Sequence, residues 1–200
     1  MIRPSIIANT QEEFNERYTN VAFADIIHLD LMDGEFVDNT SLLFDVQLPD
    51  KEFHWHLMTN TPYEHIERLP GTVFYVHAEV INVSKHIAYC KKHALPVCFA
   101  VNPGTPLDTL LTHADDINKL LIMSVEPGQY GAPFVQRATE KINKVPNTIE
   151  VCVDGAMTPD TVKHAAYADC IVSGSYIQKT GEEGYKKLTA KFAAVQILRT

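Results

Sequence analysis

Three short runs set histidines and carboxylates at the spacing of a strand. In IIHLDLMD (26–33), His28, Asp30 and Met32 alternate with Ile27, Leu29 and Leu31. On an extended chain the polar set shares one face and the aliphatic set the other. FHWHLM (53–58) repeats the pattern with His54, His56 and Met58, and EVCVDG (150–155) ends with Asp154 in the parity of Cys152. Together His28, Asp30, His56 and Asp154 offer two nitrogens and two oxygens. That donor set suits one divalent ion such as Zn²⁺, Fe²⁺, Mn²⁺ or Co²⁺. A single histidine at a strand end is most often satisfied by backbone or water. Four metal-capable residues at similar depth argue for a metal centre instead. Met32, Met58 and Met123 are common core fillers, and beside a polar cluster they would also wall off a reactive intermediate.

For these runs to meet, the elements that carry them must lie side by side. Candidate strands are 2–7, 25–32, 53–58, 72–80, 96–102, 119–125, 149–155 and 170–177. Each is followed by a segment with helix signals, weakest after the second. Thr10 with Glu13 makes a capping-box pattern. Thr61-Pro62, Thr105-Pro106 and Thr158-Pro159 each place a capping Thr before a Pro suited to the first helical position. Eight βα units over 200 residues leave about 25 residues each. Alternation of this kind implies a parallel sheet with helices outside, and eight units imply closure into a (β/α)₈ TIM barrel covering 1–200 as one domain. An open doubly wound sheet is the rival, but the first turn, ANTQEEF, lacks the glycines often found there. Barrels of this class carry their chemistry at the C-terminal ends of the strands, which is where His28, Asp30, Met32, His56, Met58 and Asp154 fall.

The remaining signals are weaker. VSGS (172–175) ends the last strand, where such barrels bind phosphate; Gly174 would admit close backbone approach and Ser175 offers a hydroxyl. EPGQYGAPF (126–134) sits where a ligand clamp would. His77 and Glu79 share a face, which suits a supporting contact. Histidines 65, 86, 93, 113 and 164 fall in helix-like segments and are expected at the surface. A net charge of −8 opposes non-specific binding to nucleic acid or an anionic membrane. No apolar run approaches the ~20 residues of a membrane span, and no signal-peptide pattern opens the chain. The four cysteines are far apart without a C-x-x-C pair, so reduced core thiols and a cytoplasmic location are expected.

Taken in order, PSI (4–6), HLDLMDGEFV-N (28–39), HLM (56–58), VHAE (76–79), NPGTPL (102–107), IMSVEPG (122–128), EVCVDG (150–155) and VSGS (172–175) make the chain resemble the ribulose-phosphate 3-epimerase family over nearly its whole length. The resemblance implies a ribulose-phosphate-binding (β/α)₈ barrel, usually in a homo-oligomer, acting on a small sugar phosphate. It implies one divalent metal on His28, Asp30, His56 and Asp154, with Asp30 and Asp154 as acid and base on opposite faces of the sugar. Ser5, His56, Met32, Met58 and Met123 would line the substrate, and Gly128, Gly131, Gly155, Gly174 and Ser175 its phosphate end. The chemistry agrees. Inverting C3 beside a ketone needs a proton removed from one face and returned to the other, through an enediolate that a metal on the two oxygens stabilises.

The departures cluster around the phosphate end. The usual P-G-F-G-G-Q is here Pro127-Gly128-Gln129-Tyr130-Gly131-Ala132, the usual D-G-G is Asp154-Gly155-Ala156, the usual D-G-H-F is Asp33-Gly34-Glu35-Phe36, and Asp38 replaces the proline before Asn39. D-ribulose 5-phosphate to D-xylulose 5-phosphate is the leading expectation. The same chemistry on another ketose phosphate, such as allulose 6-phosphate, follows it, and then a barrel that binds sugar phosphate without turnover. A related decarboxylating barrel would carry D-x-K-x-x-D, whereas His28-Leu29-Asp30-Leu31-Met32-Asp33 holds no lysine.

Overall fold

A computed structural model describes residues 1–128 and 130–197; Gln129 lies outside the described residues. Eight strands run parallel in a closed ring: β1 (Ile2–Ile6), β2 (Ile26–Asp33), β4 (Glu52–Met58), β5 (Val73–His77), β6 (Cys98–Val101), β7 (Lys119–Met123), β8 (Glu150–Asp154) and β9 (Cys170–Ser173). β1 pairs with both β2 and β9, which closes the barrel. The two-residue β3 (Thr40–Ser41) adds antiparallel to the end of β2. The expected strands are all present, and most are shorter at their ends: 72–80 stops at His77, and Ser175 to Ile177 begin a helix instead of ending a strand.

Period-two alternation builds two apolar layers. The odd residues of β2 and β4, Ile27, Leu29, Leu31, Trp55 and Leu57, pack outward beneath the surrounding segments. A separate cluster that includes Tyr75, Cys98, Ala100, Leu121, Met123 and Val172 fills the barrel itself. Burying each such side chain stabilises the fold by about 1.5–3 kcal/mol.

The outer layer is thinner than the sequence suggests. α1 (Gln11–Thr19) forms as expected, with the Glu13 N–H donating to Thr10 Oγ1 at 3.1 Å. α2 (Pro62–Ile66) has Pro62 in its first turn, and α3 (Val83–Lys92) is capped by Asn82. No helix follows β2 among the described residues. The Thr105 hydroxyl donates to Glu79, and α4 (Asp108–Leu111) starts two residues later than its Thr-Pro signal. Thr158 forms a turn with Thr161 that leads only to a 3₁₀ segment, Val162–Ala165. α5 (Gln136–Thr139) is one turn, and α6 (Ser175–Ile197) is kinked at Gly181. A unit of about 25 residues leaves little more than a turn or two once strand and loops are built.

Two expectations need correction. Cys152 and Cys170 are joined as a disulfide, and only Cys90 and Cys98 are free, both buried. The pair faces inward at matching positions on neighbouring strands, with Cα atoms 4.6 Å apart, a register invisible in sequence spacing. His65 and His86 are buried, not on the surface: Arg68 donates to His65 Nδ1 at 3.2 Å, and His86 lies 3.4 Å from Cys90 Sγ.

Candidate metal centre and active site

The inward residues of β2, β4 and β8 converge at the C-terminal mouth. One donor atom from each of His28, Asp30, His56 and Asp154 lies within 4.8 Å of the others, and all four residues are buried. β2 and β4 pair in register, so Asp30 sits opposite His56. Asp30 Oδ1 is 3.0 Å from His56 Nδ1 and 3.5 Å from His28 Nε2, while Asp154 Oδ2 is 3.7 Å from each of the two rings.

The electrostatics fit a cation. Burial pushes Asp30 up to about 7, opposed by a hydrogen bond from Ser5. Burial and then the charge of Asp30 push Asp154 up to about 7. Burial also lowers both imidazoles, His56 to about 4, and His28 well below its ordinary value. Neither ring nitrogen of His28 has a hydrogen-bond partner, an expensive arrangement in a buried site. Neutral imidazoles with unused lone pairs, beside two crowded carboxyls, are what a divalent ion would satisfy. The residues therefore fit the group that the donor set suggests.

A relay behind His56 sets its tautomer. His56 Nε2 is 2.8 Å from His77 Nε2, and His77 Nδ1 is 3.1 Å from Glu79 Oε2. Glu79 also accepts from the Asn102 N–H at 2.8 Å and from Thr105. Burial opposes its charge, but these partners hold its carboxyl down at about 2. An ionised Glu79 accepts a hydrogen bond from the Nδ1–H of His77. His77 then accepts from His56 Nε2–H, which leaves the His56 Nδ1 lone pair facing the aspartates. The shared face of His77 and Glu79 pointed to this contact; its connection to His56 across β4–β5 did not show in the sequence.

All the remaining expected site residues line one cavity above the cluster. Met32, Met58 and Met123 form its apolar wall and are at most 3% exposed. Gly128, Gly131, Gly155, Gly174 and Ser175 border it with Ser5. A Cβ on Gly155 would meet Val125 at 2.5 Å, and one on Gly174 would meet Tyr130 Cε1 at 2.4 Å and Ser5 Oγ at 2.6 Å. Gly174 thus admits a tyrosine ring and a hydroxyl at close range. Met157, Val125 and Ser173 also line the space and carried no sequence signal beyond being strand-end neighbours.

Comparison with known proteins agrees with this geometry. The profile of the Ribulose-phosphate 3 epimerase family matches residues 1–178. The ribulose-phosphate 3-epimerase of Mycobacterium leprae is 33% identical over 195 residues, 88% of this chain and 87% of that protein. The counterpart from Methanocaldococcus jannaschii is 32% identical over 178 residues, 78% and 74%. The cytoplasmic isoform from Oryza sativa is 31% identical over 180 residues, 80% and 78%. Among solved structures, 3-hexulose-6-phosphate synthase from Salmonella typhimurium superposes with a TM-score of 0.62 at 16% identity, across 100% of this chain and 99% of that one. KGPDC from Streptococcus mutans does so at 0.63 and 11%, across 98% of both. These two likenesses bear on the fold.

Proposed function

The chain belongs to the ribulose-phosphate 3-epimerase family, a family of carbohydrate epimerases, and from that premise we propose that it inverts C3 of a ketose phosphate, converting D-ribulose 5-phosphate to D-xylulose 5-phosphate. The observation that supports this most is the pair of buried aspartates, Asp30 from β2 and Asp154 from β8, aimed into one cavity beside two neutral imidazoles. Two carboxyls on different sides of a bound sugar are the minimum equipment for taking a proton from one face and returning one to the other.

In this reading His28, Asp30, His56 and Asp154 hold one divalent ion, Zn²⁺, Fe²⁺, Mn²⁺ or Co²⁺. When bound, such an ion draws electrons from the oxygens flanking C3 and so acidifies its proton. The chain's own residues do the rest. One aspartate accepts the proton of C3 while the other, protonated, delivers from the opposite face. Ser5 donates to Asp30 and steadies it. Met32, Met58 and Met123 keep water and other proton donors from the planar intermediate. Gly155, Gly174 and Ser175 border the end of the cavity that receives the phosphate. The chain 1–200 works as one barrel, assembled as a homo-oligomer in the cytoplasm; the named cytoplasmic isoform from rice supports the last point. No described helix is long and apolar enough to cross a membrane.

Proton NMR of ribulose 5-phosphate in D₂O with ion-loaded protein tests the reading. Xylulose 5-phosphate carrying deuterium at C3, absent with Asp154→Asn, is expected. A clear preference for allulose 6-phosphate would establish the second reading, which the altered loop at Tyr130 and, after β8, Ala156 favour. No exchange with either sugar would leave a binding barrel without turnover.

A further inference from the structure

The cavity above the aspartates measures about 50 Å³. Small-molecule pockets run from roughly 300 Å³ upward, so this one has room for a few waters and not for a ketose phosphate. The side chain that takes up the space is Tyr130. Its ring lies on Gly174, so closely that a Cβ there would come within 2.4 Å of it. Its hydroxyl donates to the Ser5 carbonyl at 2.8 Å. The Arg17 guanidinium stands 5.6 Å from the ring centre. Burial raises its phenol pKa, so it stays a neutral donor at any working pH. Three partners from three elements, β1, α1 and the end of β9, thus hold one ring against the backbone at the end of the last strand. In barrels of this class that backbone, with the turn after the preceding strand, receives phosphate.

We infer that Tyr130 is the affinity-setting residue of the distal end of this site, occupying the seat of the substrate's phosphate monoester so that only a ligand able to displace the ring gains entry. The inference rests on the ketose-phosphate reading above and names which residue sets its affinity. Displacement gives up the hydrogen bond to Ser5 and part of the ring's burial. The hydrogen bond alone corresponds to roughly tenfold in affinity. An anion can recover that from backbone N–H groups and from the charge of Arg17, which stays paired with Glu13 at 2.7 Å. An uncharged sugar tail bears the same displacement cost and recovers far less, so the ring lowers both affinities by one factor and leaves a phosphorylated ketose as the ligand that still binds. The hydroxyl of Tyr130 bonds the backbone of Ser5, not a carboxyl of the cation cluster, so its main effect falls on binding.

The test uses inorganic phosphate as the probe, titrated calorimetrically into the full chain, with no turnover required. Tyr130→Ala should bind phosphate well over tenfold more tightly than the parent, because it sheds both the bond to Ser5 and the ring's burial. Tyr130→Phe, which keeps the ring and loses only its bond to Ser5, should fall between, about tenfold tighter than the parent. In steady-state assays KM for the ketose phosphate should fall by a similar factor in the same order, with a much smaller change in kcat. Equal phosphate affinity in all three proteins would overturn the inference, as would weaker binding by either variant, since the hydroxyl would then be a ligand. Because phosphate binding is read without catalysis, a protein that turned over neither sugar would sink the epimerase reading while still deciding the role of Tyr130. If Tyr130→Ala does not fold, the Tyr130→Phe comparison decides alone.

Discussion

Loading the metal centre should release protons in a number set by Asp30 and Asp154. Both carboxyls are raised to about 7 in the metal-free chain, whereas the imidazoles are already neutral at pH 6, His56 having been lowered to about 4. A group with a pKa of about 7 is roughly 0.9 protonated at pH 6 and roughly 0.1 at pH 8. Two such groups give up about 1.8 protons per ion at pH 6 and about 0.2 at pH 8, because a metal ligand must be deprotonated to bind. Apparent affinity should therefore fall about a hundredfold from pH 8 to pH 6, near 2.7 kcal/mol at 1.36 kcal/mol per tenfold. Calorimetric titration of Mn²⁺ in buffers of different ionisation enthalpy counts the protons directly. Asp154→Asn should roughly halve the count at pH 6. Proton release near zero at pH 6, with equal affinity at both pH values, would mean that the aspartates are ionised in the empty site and that burial does not govern them.

The same shifts bear on stability: carboxyls whose folded pKa exceeds the unfolded value contribute stability that is present below about 4 and lost as pH rises through about 7. The metal-free chain should lose melting temperature between about pH 5 and 7.5 and level off above, and ion-loaded protein should lose less; a parallel fall in both would contradict this. Glu79→Gln removes the anion that fixes His77 and, through it, His56, and losses of this kind weaken metal binding 10- to 100-fold; unchanged Mn²⁺ affinity would show that the relay is passive. Ala156 adopts φ +50°, which costs a non-glycine residue about 1–2 kcal/mol, so Ala156→Gly should raise the melting temperature by a few degrees in a scanning calorimeter, and a lower value would refute the strain.

The parts of this protein that were legible in its sequence are those with a local signature. Period-two alternation put His28, Asp30, His56 and Asp154 on inward faces because the pleat has no other way to dispose of them, and a strand slipped by one residue would have buried Ile27 and Leu29 in the mouth and turned the ligands outward. What escaped depends on neighbours distant in the chain. Which inward residues share a level is a matter of register between strands, so the Cys152–Cys170 bond and the His56–His77 contact appear only once β8 lies against β9 and β4 against β5. Thr105-Pro106 reads locally as a helix start, but the carboxylate of Glu79, 26 residues earlier, claims the threonine hydroxyl. His86 reads as a surface residue until α3 turns that face onto Phe99 of the barrel wall. Tyr130 was visible only as a departure from a glycine; that its ring would reach Ser5 and Gly174 is a property of the loop's path.

The floor of the barrel offers a test of how far the mouth depends on the rest of the fold. Arg3 shares the inward face of β1 with Ser5, but two residues earlier, at the opposite end from the aspartates. It is 2% exposed, donates to the Tyr75 hydroxyl at 2.9 Å, and pairs with Glu150 at 2.5 Å, where Lys119 also binds. Removing one partner of a buried ion pair costs about 3–5 kcal/mol because the other is left uncompensated. Glu150 is 31% exposed and keeps Lys119, so Arg3→Met should fall below that range, at about 1–2 kcal/mol, or about 2–8 °C in melting temperature for a chain of this size. Urea unfolding gives the loss, and Mn²⁺ affinity measured well below the midpoint gives the coupling. Since the four donors are fixed by the β1–β2–β4 pairing and by β8, not by the floor pair, affinity should change less than twofold. A tenfold loss of affinity in a variant that keeps its stability would show that the charged floor positions the metal centre, and that the division between a structural base and a chemical mouth is wrong for this barrel.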